Sequence, residues 1–262
     1  MSFKPNSSLV DRVVRSPNCE ARRDGSRADI LLLHYTGMQS SQAALERLCD
    51  PIAKVSAHYM VFEDGEVIQM VPEALRAHHA GVSFWAGDTD INSRSIGIEI
   101  ANPGHDWGYP DYPDHQMSAV IELCRDILAR NVIPPELVLA HSDIAPTRKQ
   151  DPGEKFPWAK LYESGIGLWV KPAPLTFEGA PSKWLRQGDN GEAVATLQKQ
   201  FAAYGYGLPT NGDYDALTKA VVTAFQLHFR PERVDGVADG STQTTLRALR
   251  ALLAARAMLP KS

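Results

Sequence analysis

The chain has 262 residues, a formal net charge of -4, 44% hydrophobic residues and 22% charged residues. This length suits one sizeable domain and a small one, and the composition is ordinary for a globular protein. The charge gives no electrostatic reason to expect nucleic acid, and no apolar run approaches the roughly 18 residues that a membrane span needs.

The start of the chain and its cysteines bear on the compartment. The opening residues, MSFKPNSSLVDRVV, lack the apolar segment of a secretory signal. Cys19, Cys49 and Cys124 are odd in number and widely spaced, which disfavours a disulfide framework. We therefore expect a reducing compartment, the cytoplasm.

Strand-like and helix-like segments alternate through the first part of the chain. The predicted strands are ADILLLH, the two runs around Asp64-Gly65, RSIGIEIA and PELVLAH. The predicted helices are SSQAALERLC with serine N-caps, the stretch from His115 to Arg130, and FPWAKLYESG. This order predicts an α/β fold, with a mixed central β-sheet flanked by helices.

The C-terminal part contains an internal repeat. Gly212, Asp215 and Thr218 recur with the same offsets as Gly236, Asp239 and Thr242. Each Asp is expected to cap the following helix and each Gly to turn the chain into it. Together with the apolar face of Val194, Leu197 and Phe201, the pattern predicts a small bundle of three helices after a proline-rich linker at 168–183.

Three side chains are expected to converge at one edge of the sheet. His34 and His141 each end a predicted strand, and Asp151 follows His141 by ten residues on a proline-stiffened loop. Two imidazoles and one carboxylate suit a Zn²⁺ ion that keeps one position open, as catalytic zinc does. The alternative is that these are ordinary polar groups at the ends of strands.

Glu99 and Lys149 are the expected catalytic groups beside that set. Alternation with the isoleucines of SIGIEIA directs Glu99 away from the apolar face, where a carboxylate needs a partner or a role such as acid/base catalysis. Lys149 precedes Asp151 by two residues and would stabilise an oxyanion on the same side. A salt-bridged Glu99 and a solvated Lys149 remain open, and Arg148 is expected to pair with Asp143.

The chain resembles the N-acetylmuramoyl-L-alanine amidases of the amidase-2 superfamily, of the AmpD/AmiD type. The motifs that carry the resemblance are LLLHYTG, VSAHYMV, AHHAGVSFWAG, SIGIEIAN and AHSDIAPTRKQDPG with FPW, in order over residues 28–167. The chain departs from many members of this family at His78, where they carry Trp, and at Thr147. The resemblance implies one Zn²⁺ per chain held by His34, His141 and Asp151, with Glu99 as acid/base and Lys149 at the oxyanion.

The resemblance also implies a domain organisation. Residues 1–167 would form the zinc amidase domain, 168–183 the linker, and 184–255 a three-helix domain similar to peptidoglycan-binding modules. Such a module would meet the wall polymer, which makes the periplasm or cell envelope the alternative to the cytoplasm. Weaker predictions for substrate contacts are Tyr59, His79, Trp85 and Arg94, each of which also suits a structural role.

The expected function is hydrolysis of the amide between N-acetylmuramic acid, or its 1,6-anhydro form, and L-alanine in muropeptides. Peptidoglycan fragments are the expected partners, in wall turnover and recycling. One alternative is a non-catalytic peptidoglycan-recognition protein that uses the same groove, and another is a zinc hydrolase that cuts elsewhere in the stem peptide. The sequence gives no oligomeric state.

Overall fold

The computed structural model of the chain describes residues 3–175 and 184–258. It divides into two compact units. The first comprises Met1–Ser83, Thr89–His141 and Asp151–Leu168, and the second comprises Phe84–Asp88, Ser142–Gln150 and Trp169–Ser262. The units are therefore interleaved along the chain, whereas the sequence analysis predicted contiguous domains. Among the described residues, no helix has both the length and the apolar character needed to cross a bilayer.

The first unit is built on a mixed β-sheet with the strand order β1-β5-β4-β7-β3-β8. The strands are β1 (Arg12–Val13), β3 (Ile30–Tyr35), β4 (Tyr59–Val61), β5 (Val67–Gln69), β7 (Ser95–Ile100) and β8 (Val138–Ala140). β3 pairs in parallel with β7 on one side and with β8 on the other. Ile30 to Leu33 of β3 are completely buried, as a strand covered on both faces requires.

The predicted hairpin is present between β4 and β5, which pair antiparallel. Its loop is longer than the Asp64-Gly65 pair alone, because the strands end at Val61 and resume at Val67. Only Gly65 adopts a positive φ there, of 88°. Two further strands that the sequence analysis did not predict, β2 (Cys19–Ala21) and β6 (Leu75–Ala77), form a separate antiparallel pair.

Helices flank the sheet as predicted. They are α1 (Ser41–Cys49), α2 (Ile91–Arg94), α3 (Asp114–Arg130), α4 (His141–Ile144) and α5 (Trp158–Glu163), with 3-10 helices at Arg23–Gly25, His105–Trp107 and Pro135–Leu137. The Ser40 hydroxyl caps α1 by accepting from the backbone N–H of Ala43 at 3.0 Å. α3 is tied to the sheet through Gln116, whose amide donates to the carbonyls of Val61 and Ala101.

The second unit contains the predicted helical bundle of α6 (Glu192–Ala202), α7 (Ala216–Phe229) and α8 (Gly240–Ala257). Asp215 and Asp239 cap α7 and α8, each by accepting from the N–H three residues on at 2.7 Å. Gly212 and Gly236 precede them with positive φ values of 86° and 68°. The predicted repeat therefore has the predicted geometry.

A pair of glutamines extends this repeat beyond what the sequence analysis recognised. Gln198 accepts from the Gly212 N–H and donates to Thr218, and Gln226 accepts from the Gly236 N–H and donates to Thr242. Both glutamines are completely buried. Each glutamine thus supplies hydrogen-bond partners both to the buried glycine turn and to the first turn of the next helix.

The described part of the predicted linker is packed against this bundle. Ala173 donates its N–H to Thr245 and accepts from the Ser241 hydroxyl, both on α8. Trp169 stacks on Phe229 with ring centroids 6.0 Å apart. Residues 176–183 of the linker lie outside the described part of the chain.

Candidate active site

His34 and His141 lie together at the carboxyl ends of β3 and β8. His34 is the penultimate residue of β3, and His141 follows the last residue of β8 directly. Because the two strands are adjacent and parallel, their carboxyl ends meet at one edge of the sheet. Both side chains are buried, at 1% and 3% relative exposure. The chain thus places two imidazoles in a pocket with little access to water.

Asp151 completes a cluster of three donor atoms. Oδ2 of Asp151 lies 3.2 Å from Nδ1 of His34 and 2.9 Å from Nδ1 of His141, and the two nitrogens are 2.8 Å apart. Ligands about 2.0–2.1 Å from a tetrahedral ion lie about 3.3 Å from one another. Two imidazole nitrogens and a carboxylate oxygen at these separations fit a zinc ion, and the cluster has the composition and burial of a metal site.

The carboxylate of Asp151 is held ready for such a role. Burial by itself raises the pKa of this carboxyl, but the neighbouring imidazoles of His141 and His34 outweigh it, so the pKa lies well below its usual range. The carbonyl of the next residue, Pro152, accepts the hydroxyls of Tyr109 and Tyr112, each at 2.8 Å. Asp151 is therefore ionised, and the two tyrosine hydroxyls fix the backbone that follows it.

Glu99 stands beside this cluster on the neighbouring strand. The register of β7 places Glu99 opposite His34 of β3 on one side and opposite Met60 of β4 on the other. Ile96, Ile98 and Ile100 are completely buried, whereas Glu99 is partly exposed. The alternation is the one that the sequence predicted, and β7 is an interior strand of the sheet, not an edge strand.

His79 lies behind His34. Its Nδ1 is 3.0 Å from Nε2 of His34, and its Nε2 is 3.3 Å from the hydroxyl of Ser95. Burial, together with the neighbouring His34, lowers the pKa of His79 well below its usual range, so the ring is neutral. His79 was predicted as a substrate contact, and its 8% exposure and its bond to His34 connect it instead to the metal cluster.

Gly97 makes room for that ring. A Cβ at Gly97 would lie 2.5 Å from Cε1 and Nδ1 of His79. Ser95, Gly97 and Glu99 share one face of β7. This face therefore presents a hydroxyl at Ser95, no side chain at Gly97 and a carboxylate at Glu99. Ser95 and Asn92 were not among the predicted site residues, and the placement of Ser95 on the Glu99 face was the only sequence signal for either.

The structure gives Tyr59 and Arg94 other surroundings than a substrate groove. Tyr59 is completely buried in β4, and its hydroxyl donates to Glu73 at 2.6 Å. Arg94 donates to both carboxylate oxygens of Asp29, at 3.0 and 2.6 Å. The burial of Tyr59 and its bond to Glu73 fit the core role that was the alternative for this residue. Arg94 is occupied by an ion pair.

Lys149 and Trp85 belong to the second unit. Lys149 is half-buried, its N–H donates to the carbonyl of Ala145, and its role at an oxyanion stays a prediction. Trp85 is 1% exposed and makes edge contacts with Tyr204 and Tyr206, with ring centroids 5.2 and 5.1 Å apart. Its packing accounts for it without a substrate.

Asp143, in the segment between His141 and Asp151, is part of the second unit and is bonded within it. Its Oδ1 accepts from the hydroxyl of Tyr206 at 2.6 Å, and its Oδ2 accepts from Nδ1 of His228 at 2.7 Å. The Asp143 and His228 side chains have 0% and 1% exposure. No sequence pattern predicted these contacts, and the pairing of Asp143 with Arg148 stays a prediction.

Comparison with protein families gives two matches. Residues 24–154 match the Amidase_2 family, described as N-acetylmuramoyl-L-alanine amidase, and residues 190–246 match a family described as putative peptidoglycan binding domain. The first match contains His34, Glu99, His141, Lys149 and Asp151. The second contains both turns of the C-terminal repeat.

Individual proteins resemble the chain over most of its length. The N-acetylmuramoyl-L-alanine amidase AmiD of Escherichia coli is 38% identical over 235 residues, which are 85% of this chain and 82% of AmiD. The 1,6-anhydro-N-acetylmuramyl-L-alanine amidase AmpD of E. coli is 35% identical over 57% of this chain and 89% of AmpD.

Solved structures agree with these matches. AmiD of E. coli, in complex with the substrate anhydro-N-acetylmuramic acid-L-Ala-D-gamma-Glu-L-Lys, superposes with a TM-score of 0.72 and 35% identity, over 89% of this chain and 92% of that one. AmpDh3 of Pseudomonas aeruginosa, in complex with anhydromuramic pentapeptide, gives a TM-score of 0.73 and 36% identity, over 89% and 95%.

Proposed function

Because the chain belongs to the N-acetylmuramoyl-L-alanine amidase family and is an amidase of that kind, we propose that it cleaves muropeptides in a zinc-dependent reaction. The bond cut is the amide between the lactyl group of N-acetylmuramic acid, or its 1,6-anhydro form, and L-alanine. The relatives named for anhydro-muramyl substrates support the anhydro form. The observation that carries the proposal is the convergence of His34, His141 and Asp151 beside Glu99.

The metal proposed is one Zn²⁺ per chain, held by the two Nδ1 atoms and the Asp151 carboxylate. When bound, zinc supplies Lewis acidity, which polarises a carbonyl and makes water more acidic. The donor set supports zinc over magnesium or calcium, which favour all-oxygen sites. Imidazole nitrogens are poor partners for those harder ions.

Glu99 is the proposed acid and base. Its carboxylate takes the proton of the attacking water and then delivers a proton to the nitrogen of L-alanine, which leaves as an amine. The register opposite His34 supports this role, because it fixes the carboxylate next to the metal ligands. Lys149 is proposed to stabilise the oxyanion of the tetrahedral intermediate.

The C-terminal helices are proposed to bind the wall polymer. The family match over residues 190–246 supports this. Sedimentation of the protein with insoluble peptidoglycan tests it, with bovine serum albumin as the control. The three free cysteines support a reducing compartment such as the cytoplasm, which cell fractionation would test, with the periplasm or envelope as the other outcome.

One product analysis tests the reaction. The zinc-loaded protein is incubated with anhydro-N-acetylmuramyl-L-Ala-D-γ-Glu-L-Lys, and the products are identified by mass spectrometry. The expected products are anhydro-N-acetylmuramic acid and a tripeptide with a free L-alanine amine. Cleavage at an internal peptide bond would favour the stem-peptide hydrolase, and binding without any cleavage would favour the recognition protein.

A further inference from the structure

A line of hydrogen bonds leads from a backbone carbonyl to His34. The carbonyl of Ile91 can only accept, so the hydroxyl of Ser95, 2.7 Å away, donates to it. A hydroxyl has a single hydrogen. Ser95 therefore serves as the acceptor in its contact with Nε2 of His79 at 3.3 Å.

The direction of this line fixes the hydrogen on each ring. His79 donates from Nε2 to Ser95. Of two ring nitrogens that face each other only one can carry the hydrogen, and a metal ion on Nδ1 of His34 requires that hydrogen on Nε2 of His34, so Nδ1 of His79 is an acceptor. The atom that faces this Nδ1 at 3.0 Å is Nε2 of His34, which must therefore donate. Nδ1 of His34 is then left with its lone pair, and it is this atom that faces His141 and Asp151.

The hydrogen on the ring of His141 is fixed in the same way, by Ala80, the residue that follows His79. Its Nε2 donates to the carbonyl of Ala80 at 3.1 Å, which leaves its Nδ1 for the metal cluster. The backbone at this point is held by Asn92, whose Oδ1 accepts from the N–H groups of His79 and Ala80 at 3.0 and 2.8 Å. Asn92 is 7% exposed, and His79, Ala80 and His141 are buried as well.

We infer that His79 and Ser95 are positioning residues that hold His34 in the tautomer with its hydrogen on Nε2, and that the Ala80 carbonyl, supported by Asn92, does the same for His141. This inference rests on the metal site proposed above. A metal-binding imidazole needs a bare nitrogen at the ion, and a partner on the other nitrogen supplies both the tautomer and the ring orientation.

The closing experiment separates hydrogen bonding from packing at position 79. In His79→Asn, the amide oxygen can take the place of Nδ1 and accept from His34, whereas His79→Leu fills space without an acceptor. Zinc affinity is measured by competition with a chromogenic chelator, and the unfolding midpoint of each variant is recorded. We expect His79→Leu to lose 10- to 100-fold in zinc affinity and His79→Asn to stay within a few-fold of the parent.

Ser95→Ala supplies a second, milder test. It should weaken zinc binding in the parent but have no further effect in the His79→Asn background, because an amide oxygen accepts without help from Ser95. Equal zinc affinities for His79→Asn and His79→Leu would overturn the inference, as would an equal loss from Ser95→Ala in both backgrounds.

Nitrogen chemical shifts of the zinc-loaded parent report the tautomers directly. We expect a hydrogen on Nε2 of both His34 and His79 and none on Nδ1 of His79. A hydrogen on Nδ1 of His79 would overturn the inference. A parent protein that binds no zinc would instead overturn the proposed cofactor, while the shifts of His79 would still report the hydrogen-bond direction.

Discussion

His34 and Glu99 are directly opposite each other on the adjacent parallel strands β3 and β7. Residues paired in this way direct their side chains to the same face of the sheet. The proposed metal-binding imidazole and the proposed acid/base carboxylate are thus related by the hydrogen bonds of the sheet and not by loops. Their spacing is as rigid as the sheet interior.

Glu99→Gln should keep zinc but lose most of the turnover. The amide cannot accept the proton of water, and general acid/base catalysis contributes about 10²- to 10⁴-fold. The measurement is kcat on an anhydro-muramyl peptide together with zinc content per chain. Glu122→Gln, on the exposed face of α3, is the matched control and should behave as the parent. Hydrolysis by Glu99→Gln at the parent rate would contradict the role.

Removal of the metal should abolish hydrolysis and lower stability. Dialysis against a chelator empties the His34, His141 and Asp151 cluster, and a ligand that binds only the folded state raises the melting temperature when it is restored. Zinc addition should recover both activity and melting temperature. His141→Ala should fail to recover either, and full activity of the chelated parent would show that no metal is needed.

Gly97→Ala should damage the site through His79. The added Cβ meets the imidazole at 2.5 Å, so the ring must shift, at a cost of about 1–3 kcal/mol for overpacking. We expect a lower urea midpoint and weaker zinc binding. In a His79→Ala background the same substitution should cost much less, because the ring is absent. Equal costs in the two backgrounds would place the effect elsewhere.

The buried His58 should make the metal-free protein sensitive to acid. Burial, with the nearby Arg22, lowers the pKa of His58 to about 3, below the usual 6.5. The unfolded chain therefore binds a proton on this residue below pH 6.5 that the folded chain does not bind until about pH 3. Stability should fall as the pH drops through this window, by up to about 1.4 kcal/mol per pH unit for this residue.

His58→Gln isolates that contribution. Glutamine can still accept from the N–H of Gly97 and donate to the carbonyl of Leu75, as His58 does. Urea midpoints measured from pH 7 to pH 4 should decline less steeply than in the parent, because unfolding of the variant takes up one proton fewer. An unaltered slope in His58→Gln would refute the assignment.

Asp143→Ala should destabilise the second unit strongly. It leaves the Tyr206 hydroxyl and the Nδ1 hydrogen of His228 buried without their acceptor, and each buried donor left unsatisfied costs about 1–3 kcal/mol. Tyr206→Phe removes one hydrogen bond and should cost about 1 kcal/mol. Chemical denaturation measures both, with the exposed Asp213→Ala as control. A smaller loss for Asp143→Ala than for Tyr206→Phe would contradict this ranking.

The parts of the fold that could be predicted follow from local patterns. Three such features each depend on only a few consecutive residues: the apolar run of β3, the alternation of β7, and the capping aspartates of α7 and α8. The sheet edge where His34 meets His141 also follows, because parallel strands end together. His34, His141, Asp151 and Glu99 were predicted as site residues on that basis and by family resemblance.

The parts that could not be predicted depend on contacts between distant segments. Asp143 meets Tyr206 and His228, which are 63 and 85 residues away along the chain. The role of Ser95 depends on an imidazole 16 residues earlier and on the direction of a hydroxyl hydrogen. Tyr59 and Trp85, which were predicted as groove residues, are both buried, and aromatic character alone does not distinguish a buried ring from a ligand contact.

The last acceptors behind the two imidazoles proposed to bind the metal are the carbonyls of Ile91 and Ala80, atoms that every amino acid possesses. Substitution of either side chain leaves the oxygen in place so long as the backbone path survives. Natural variation at positions 80 and 91 is therefore compatible with an intact centre. Insertions or deletions near these positions would be far more damaging than any exchange of residue type.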